Sequence, residues 1–106
     1  MSREYLNASL APEKRAKALL EEMSLEEKAA QLTGVFPFDE EYKDFDGISK
    51  RVPHGIGEVS TLEMRRMETL EEVAAWEKKV QGIVMEKREN HIPANFHIEG
   101  LCGPFF

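Results

Sequence analysis

The chain has 106 residues, of which 42% are hydrophobic and 32% are charged, the composition of one ordinary globular domain. Its net charge of −6 disfavours nucleic acid and anionic membranes as partners, because both are negatively charged. A chain of this length buries a small core, but it cannot enclose a large substrate cavity on every side.

The cysteine content and the amino-terminal residues predict a cytoplasmic protein. Cys102 is the only cysteine, so a disulfide within the chain is excluded, and the opening residues MSREYLN lack the apolar core of a secretory signal. No apolar run approaches the roughly 20 residues that cross a bilayer, so no membrane partner is predicted.

Two helices are predicted in the first third of the chain. The first, at residues 12–23, has a proline in its first turn, where proline is well tolerated. Ser24 and Glu27 form a capping-box pattern that begins the second helix, at residues 24–33, and Gly34 is its predicted stop. The spacing of apolar residues predicts these inward-facing positions: Ala16, Leu19, Leu20 and Met23 in the first helix, and Leu25, Ala29 and Leu32 in the second.

Residues 35–53 show no periodic pattern and predict a long surface loop. The aromatic residues of this segment are expected to anchor it: Phe36, Phe38, Tyr42 and Phe45. Asp44 and Asp46 match part of a calcium-loop series, but the bidentate Glu of such a loop is missing, so a solvated loop is preferred to a calcium site.

A short buried strand is predicted at residues 56–60, where Ile56 and Val59 are the apolar positions. The polar connection that follows contains Arg65 and Arg66. This basic pair is expected to make surface ion pairs, and a role in clamping a ligand is the alternative.

The strongest pattern lies at residues 69–89. Thr69 and Glu72 form a second capping box, which begins a predicted helix. Its apolar stripe consists of Val73, Trp76, Val80, Ile83 and Val84, and Trp76 is expected to fill the core rather than to contact a cofactor. No cofactor is predicted.

The last sixteen residues contain a second predicted strand, at residues 94–99. Pro93 favours extended backbone before it. Because side chains alternate along a strand, the apolar residues Ala94, Phe96 and Ile98 share one face, and the polar residues Asn95, His97 and Glu99 share the other. The polar face is therefore a candidate site, with a solvated strand end as the alternative.

A metal site can also be considered in this segment, since it contains His91, His97, Glu99 and Cys102. Their spacing matches no standard zinc pattern. No metal is predicted.

The element order helix, helix, strand, helix, strand predicts an α/β fold. The two strands should lie parallel and be joined by a right-handed crossover. Two strands and three helices leave both sheet edges open, which is typical of the beginning of a larger structure.

Three segments resemble, in order and spacing, the amino-terminal part of glycoside hydrolase family 3 enzymes, which include β-glucosidases and β-xylosidases. They are residues 19–33 (LLEEMSLEEKAAQLT), 55–60 (GIGEVS) and 92–103 (IPANFHIEGLCG). The resemblance implies that residues 1–106 are the opening segment of a (β/α)8-like barrel, incomplete in this chain because such a barrel needs roughly 250 residues.

The resemblance also implies a role for the polar face. Glu99 matches a family position that accepts hydrogen bonds from sugar hydroxyls, and His97 is a further candidate for lining that pocket. The family hydrolyses glycosides with retention through two carboxylates roughly 5 Å apart. Both belong to later parts of the enzyme, so no catalytic residue is assigned here, the carbohydrate substrate is that of the complete enzyme, and the chain alone is expected to be inactive.

Two residues depart from the family pattern. Cys102 stands where the family often has His. Asn95 stands where an apolar residue is common, and burying its amide without a partner costs on the order of 1–3 kcal/mol. The alternative to the enzyme reading is a small non-catalytic α/β interaction module that associates with itself through its open strand edges.

Overall fold

The computed structural model describes residues 3–98, which contain four α-helices and a sheet of three short parallel strands. The helices are α1 (Pro12–Glu22), α2 (Leu25–Gln31), α3 (Phe45–Arg51) and α4 (Leu70–Glu86). The strands are β1 (Gly34–Val35), β2 (Glu58–Ser60) and β3 (Asn95–His97), and 3-10 helices occupy Glu4–Leu6, Asp39–Lys43 and Leu62–Arg66. The predicted α/β class is confirmed. None of the helices in the described part of the chain is long and apolar enough to cross a membrane.

The three strands lie side by side in chain order, β1-β2-β3, and both pairs are parallel. Parallel pairing of the two predicted strands is therefore confirmed, although residue 99 lies outside the described residues. Right-handed crossovers between strands that advance in one direction put their helices on one face of the sheet. Helix α3, between β1 and β2, packs against α4, between β2 and β3, which places both helices on one face.

The core lies between that face and α4. Val35, Val59 and Phe96 stand opposite one another in the register, so their side chains project to the same side. The rings of Phe96 and Trp76 meet edge to face, with their centroids 6.3 Å apart. The predicted stripe of α4 is confirmed, since Val73, Trp76, Val80 and Val84 are buried and Ile83 packs against them.

Helix α4 begins where the capping box predicts and ends three residues before the predicted end at residue 89. The Thr69 hydroxyl accepts a hydrogen bond from the Glu72 N–H at 3.1 Å, and the Glu72 carboxylate accepts one from the Thr69 N–H at 3.4 Å. Beyond its end at Glu86, Arg88 turns inward and is only 4% exposed.

Arg88 contacts the chain segments that lead into two of the strands. Its Nη2 donates to the Ile92 carbonyl at 3.0 Å, before β3. Its guanidinium lies against Gly55, before β2, where a Cβ atom would come within 2.5 Å of Arg88 Cζ. Gly55 also has a φ of +78°, which favours glycine. Burial lowers the pKa of Arg88, and the Glu27 carboxylate opposes that shift.

The prediction of a surface loop at residues 35–53 is wrong. The segment contains a 3-10 helix and α3, which the Asp44 carboxylate caps by accepting a hydrogen bond from the Gly47 N–H at 2.9 Å. Ile48 and Val52 are fully buried, so this segment contributes to the core. Of the four aromatic residues expected to anchor the loop, Tyr42 is buried and Phe45 is partly buried, whereas Phe36 and Phe38 are exposed.

The predicted inward faces of α1 and α2 are wrong as well. None of the residues of either helix is buried, and Leu20, Leu25 and Leu32 are 52%, 78% and 89% exposed. The physical reason is where these two helices lie in the fold. Helix α1 packs against the 3-10 helix Glu4–Leu6, and α2 reaches the sheet through its end, where the Ala30 carbonyl accepts from the Gly57 N–H at 3.0 Å.

Replacing Ile48 with alanine tests whether α3 belongs to the core. We expect Ile48→Ala to lower the free energy of unfolding by about 2–5 kcal/mol, because it removes buried methylene groups and leaves a cavity. The measurement is urea denaturation followed by circular dichroism. Leu25→Ala, at a position that is 78% exposed, is the control and should change stability by less than about 0.5 kcal/mol. Equal effects of the two variants would contradict the placement of α3.

Candidate functional site on the polar face of the sheet

The face of the sheet that points away from α4 carries two rows of mostly polar side chains, which we call the polar face. Gly34, Glu58 and Asn95 form one row, and Ser60 and His97 form the next. A Cβ atom built on Gly34 would lie 3.3 Å from Glu58 Cβ, which confirms that the two residues share a side. Neighbouring strands are about 4.8 Å apart, so each row is a set of adjacent groups.

His97 is held at the carboxyl end of β3 by its own backbone. The His97 carbonyl accepts two hydrogen bonds from Thr61, one from the N–H at 2.8 Å and one from the hydroxyl at 2.9 Å. Thr61 is only 3% exposed, so both bonds are shielded from water. The imidazole is exposed on the polar face and is available to a ligand.

Asn95 lies beside Glu58 in the register, a proximity that the sequence did not reveal. The sequence shows no partner for the Asn95 amide and therefore predicts a cost for burying it. In the structure Asn95 is exposed and Glu58 is half-buried, so water solvates the amide. If the face were covered, the Glu58 carboxylate could accept a hydrogen bond from that amide.

Two phenylalanines extend this face beyond the end of β1. Burial alternates from Gly34 through Phe38, with Val35 and Pro37 buried and the other three residues exposed. This alternation assigns Phe36 and Phe38 to the side of Gly34, the side of the polar face. They are 46% and 45% exposed, and their ring centroids are 5.7 Å apart. Sequence reasoning missed them as surface groups because it treated them as anchors.

Arg66 joins the segments that follow β1 and β2. Its Nη2 lies 3.0 Å from the Asp39 carboxylate, its Nη1 lies 3.1 Å from Glu40, and its Nε contacts the buried carboxylate of Glu63. Arg65 also contacts Glu63, at 3.5 Å. The prediction that the basic pair makes ion pairs is confirmed, and these guanidinium groups already have carboxylate partners.

The sequence-predicted site is only partly within the described residues. The structure brings His97 and Asn95 to one face, as predicted, whereas Glu99 and Cys102 lie outside residues 3–98. Within that range, no group of three or more His, Cys, Asp or Glu side chains is arranged to hold a metal ion. Asp44, which matched part of a calcium loop, is the cap of α3 instead.

A cavity of about 520 Å³ lies away from the polar face, between α4 and the segment that contains Tyr42 and Phe45. Its basic side chains already have partners. The Lys79 ammonium lies 4.3 Å from the centroid of the Phe45 ring, and Lys43 pairs with Glu40 at 3.2 Å. Because Arg66, which also lines this cavity, is paired too, we place the candidate site on the polar face, where the imidazole and amide groups remain open to a ligand.

Comparison with known proteins finds no matching family model and no significantly similar curated protein or solved structure. The resemblance to glycoside hydrolase family 3 therefore remains an expectation from the sequence.

Removing the Thr61 hydroxyl tests whether it holds β3. We expect Thr61→Val to lower the free energy of unfolding by about 1 kcal/mol, because it deletes a buried hydrogen bond to the His97 carbonyl while keeping the side-chain shape. Amide hydrogen exchange should speed up in β3. Thr61→Ser, which keeps the hydroxyl, is the matched control and should leave exchange in β3 slow. Slow exchange in both variants would contradict the positioning role.

The segment that bears Phe38 should respond to pH through Glu41. The Phe38 N–H donates to Glu41 Oε2 at 2.9 Å and lowers the pKa of that carboxyl, and Arg51 at 3.0 Å adds to the shift. A pKa that is lower in the folded state stabilises the fold above the unfolded-state pKa, and that stabilisation is lost as pH falls through the folded-state value. We therefore expect Glu41→Gln to reduce stability at pH 7 but not at about pH 2.

Urea denaturation at both pH values measures this difference. Glu89→Gln removes an exposed carboxylate that makes no hydrogen bond or ion pair with the described residues, and it is the control for net charge. An effect of Glu41→Gln that is the same at both pH values would contradict the assignment.

Proposed function

We propose that this chain is the amino-terminal part of a glycoside hydrolase of the family 3 type, which acts on β-linked glucosides or xylosides by retaining hydrolysis. In this proposal the chain supplies part of the subsite that holds the glycone, and the catalytic pair of carboxylates comes from elsewhere in the enzyme. The carbohydrate substrate and the cytoplasmic location belong to the same proposal.

The observation that carries the proposal is the order of the strands. A doubly wound sheet reverses its strand order and covers both faces with helices. A (β/α)8 barrel instead adds each strand beside the preceding one and keeps its helices outside. Over the described residues, β1, β2 and β3 lie in chain order with α3 packed against α4, an arrangement that a barrel shares with each half of a doubly wound sheet and that supports the barrel proposed from the resemblance. Closure into a barrel is part of the proposal.

The position of the polar side chains supports the same function. Ser60 and His97 are the last residues of β2 and β3, and barrel enzymes carry their active sites at the carboxyl ends of their strands. The alternation predicted from the sequence assigns Glu99 to the side of Asn95 and His97. In the proposal, the Glu99 carboxylate accepts hydrogen bonds from neighbouring sugar hydroxyls, for which an ionised carboxylate is a strong acceptor.

A second candidate function is self-association as a non-catalytic module, and a specific observation favours it. The Asn95 N–H donates to the Gly57 carbonyl, and the His97 carbonyl accepts from the Thr61 N–H. Both residues therefore make these backbone hydrogen bonds on the β2 side of β3. In a parallel ladder the intervening residue, Phe96, then points its N–H and C=O outward. An edge of this kind can pair with a strand of a second copy.

The decisive test is the hydrolysis of 4-nitrophenyl β-D-glucoside and β-D-xyloside by the full product of the gene that encodes this chain. We expect turnover, and we expect Glu99→Gln to lower kcat/KM by roughly 10- to 100-fold, the loss produced by removing a hydrogen bond to a charged group. Glu89→Gln, an exposed carboxylate of the described residues, is the matched control and should leave kcat/KM unchanged.

Two outcomes separate the candidates. Turnover that is unaffected by Glu99→Gln would remove the site assignment. Absence of turnover, together with concentration-dependent dimerisation in analytical ultracentrifugation, would favour the interaction module.

A further inference from the structure

The two exposed phenylalanines beyond β1 are unusual for a polar surface. Large aromatic side chains that remain about half exposed and contact each other form an apolar patch, and such patches mark interaction sites more often than isolated exposed residues do. Pro37, between them, is fully buried, so the backbone that carries the pair is fixed to the core. The pair is therefore held in place and presented outward.

The residues beside Phe36 and Phe38 limit which ligands could bind there. Val35 stands opposite Val59, where β1 ends, and one further residue of extended chain places Phe36 near the level of Ser60 and His97 at the carboxyl end of the sheet. Phe36 and His97 then flank β2 across two strand spacings, about 10 Å. Ser60, between them, is small and only 7% exposed, and its Oγ accepts from the Leu62 N–H at 3.5 Å, so it forms the floor of a shallow trough with an aromatic wall on one side and an imidazole on the other.

The charge of this trough disfavours an anionic ligand. Of the three residues in the row, only His97 is ionisable. Asp39 and Glu40, which follow Phe38, are already paired with Arg66. The half-buried carboxylate of Glu58 lies in the next row of the same face. A ligand that fits must offer an apolar face to the phenyl rings and hydroxyl groups to the histidine. A pyranose ring has both properties, since its C–H groups lie on its faces and its hydroxyl groups lie around its rim.

We propose that Phe36 and Phe38 form an aromatic platform that stacks on the C–H face of a pyranose ring, with the exposed imidazole of His97 facing its hydroxyl groups. This inference rests on the proposed function and adds an apolar wall to the same carbohydrate site. The platform positions the sugar and takes no part in bond cleavage. Glu41 supports it, because its carboxylate accepts the Phe38 N–H at 2.9 Å and so fixes the end of the segment.

The first experiment measures kinetics on 4-nitrophenyl β-D-glucoside with the full gene product. We expect Phe36→Ala to raise KM about three- to tenfold, the effect of losing one aromatic contact, with a smaller change in kcat. Phe36→Tyr keeps an aromatic ring and should restore KM. Leu70→Ala, at a position that is 65% exposed at the start of α4, is the matched control and should leave KM unchanged.

The second experiment does not depend on turnover. Saturation-transfer NMR, with irradiation of the protein aromatic protons and detection of cellobiose, should show transfer to the ring C–H protons of the sugar. This transfer should fall by at least half in Phe36→Ala and should persist in Leu70→Ala. Trp76 fluorescence reports folding of each variant, since Trp76 is buried beneath the opposite face of the sheet.

The two readouts separate failure of the platform from failure of the proposed function. Transfer to cellobiose without hydrolysis would support the platform and contradict the enzyme. Hydrolysis with unchanged KM and unchanged transfer in a folded Phe36→Ala variant would overturn the platform. A lowered melting temperature of Phe36→Ala without any sugar transfer in the unsubstituted protein would also overturn it, because the rings would then serve only as packing.

Discussion

Burial of one face of the three-stranded sheet against α4 is the interaction on which the rest of the structure depends. Val35, Val59 and Phe96 project to that face in register, and each such side chain contributes roughly 1.5–3 kcal/mol when it is fully buried. Because successive side chains of a strand point to opposite faces, the orientation of the neighbouring residues is then fixed. Glu58 and Asn95 must project to the opposite face, so the packing that builds the core also assembles the polar face.

The same constraint explains which parts of the fold could be predicted from the sequence. Helix α4 has seventeen residues, two capping residues and a continuous apolar stripe, so local pattern and tertiary packing agree. In β3, the polar and apolar faces followed from period-two alternation alone. In both elements, the local sequence pattern alone is sufficient to predict which residues face the core.

Other parts could not be predicted because their signals are too short or depend on distant partners. Strand β1 has only two residues, which is too few for a periodic pattern. Helix α3 has seven residues and contains Asp46-Gly47, a pair typical of turns, yet the burial of Ile48 and Val52 decides its structure. Arg88 lies beyond the end of α4 in a charged stretch, and only its contacts with Gly55 and Ile92 show that it is a buried clamp.

The sequence predicted only part of the candidate site. Alternation predicted that Asn95 and His97 share a face, but it could not show that Glu58 and Ser60 lie beside them, because strand register is set by packing across the sheet. Nor could it show that Phe36 and Phe38 are exposed rather than buried. The proposed carbohydrate site depends on this combination, in which polar groups come from β2 and β3 and an aromatic wall follows β1.

A crystal structure of the full gene product with bound D-glucose or D-xylose is the most direct test of the proposed carbohydrate site. We expect the sugar to lie over the carboxyl ends of β2 and β3, against His97 and Phe36, and a further parallel strand to lie beside β3. A sugar bound away from the polar face, or a strand of a second copy paired with β3, would contradict it.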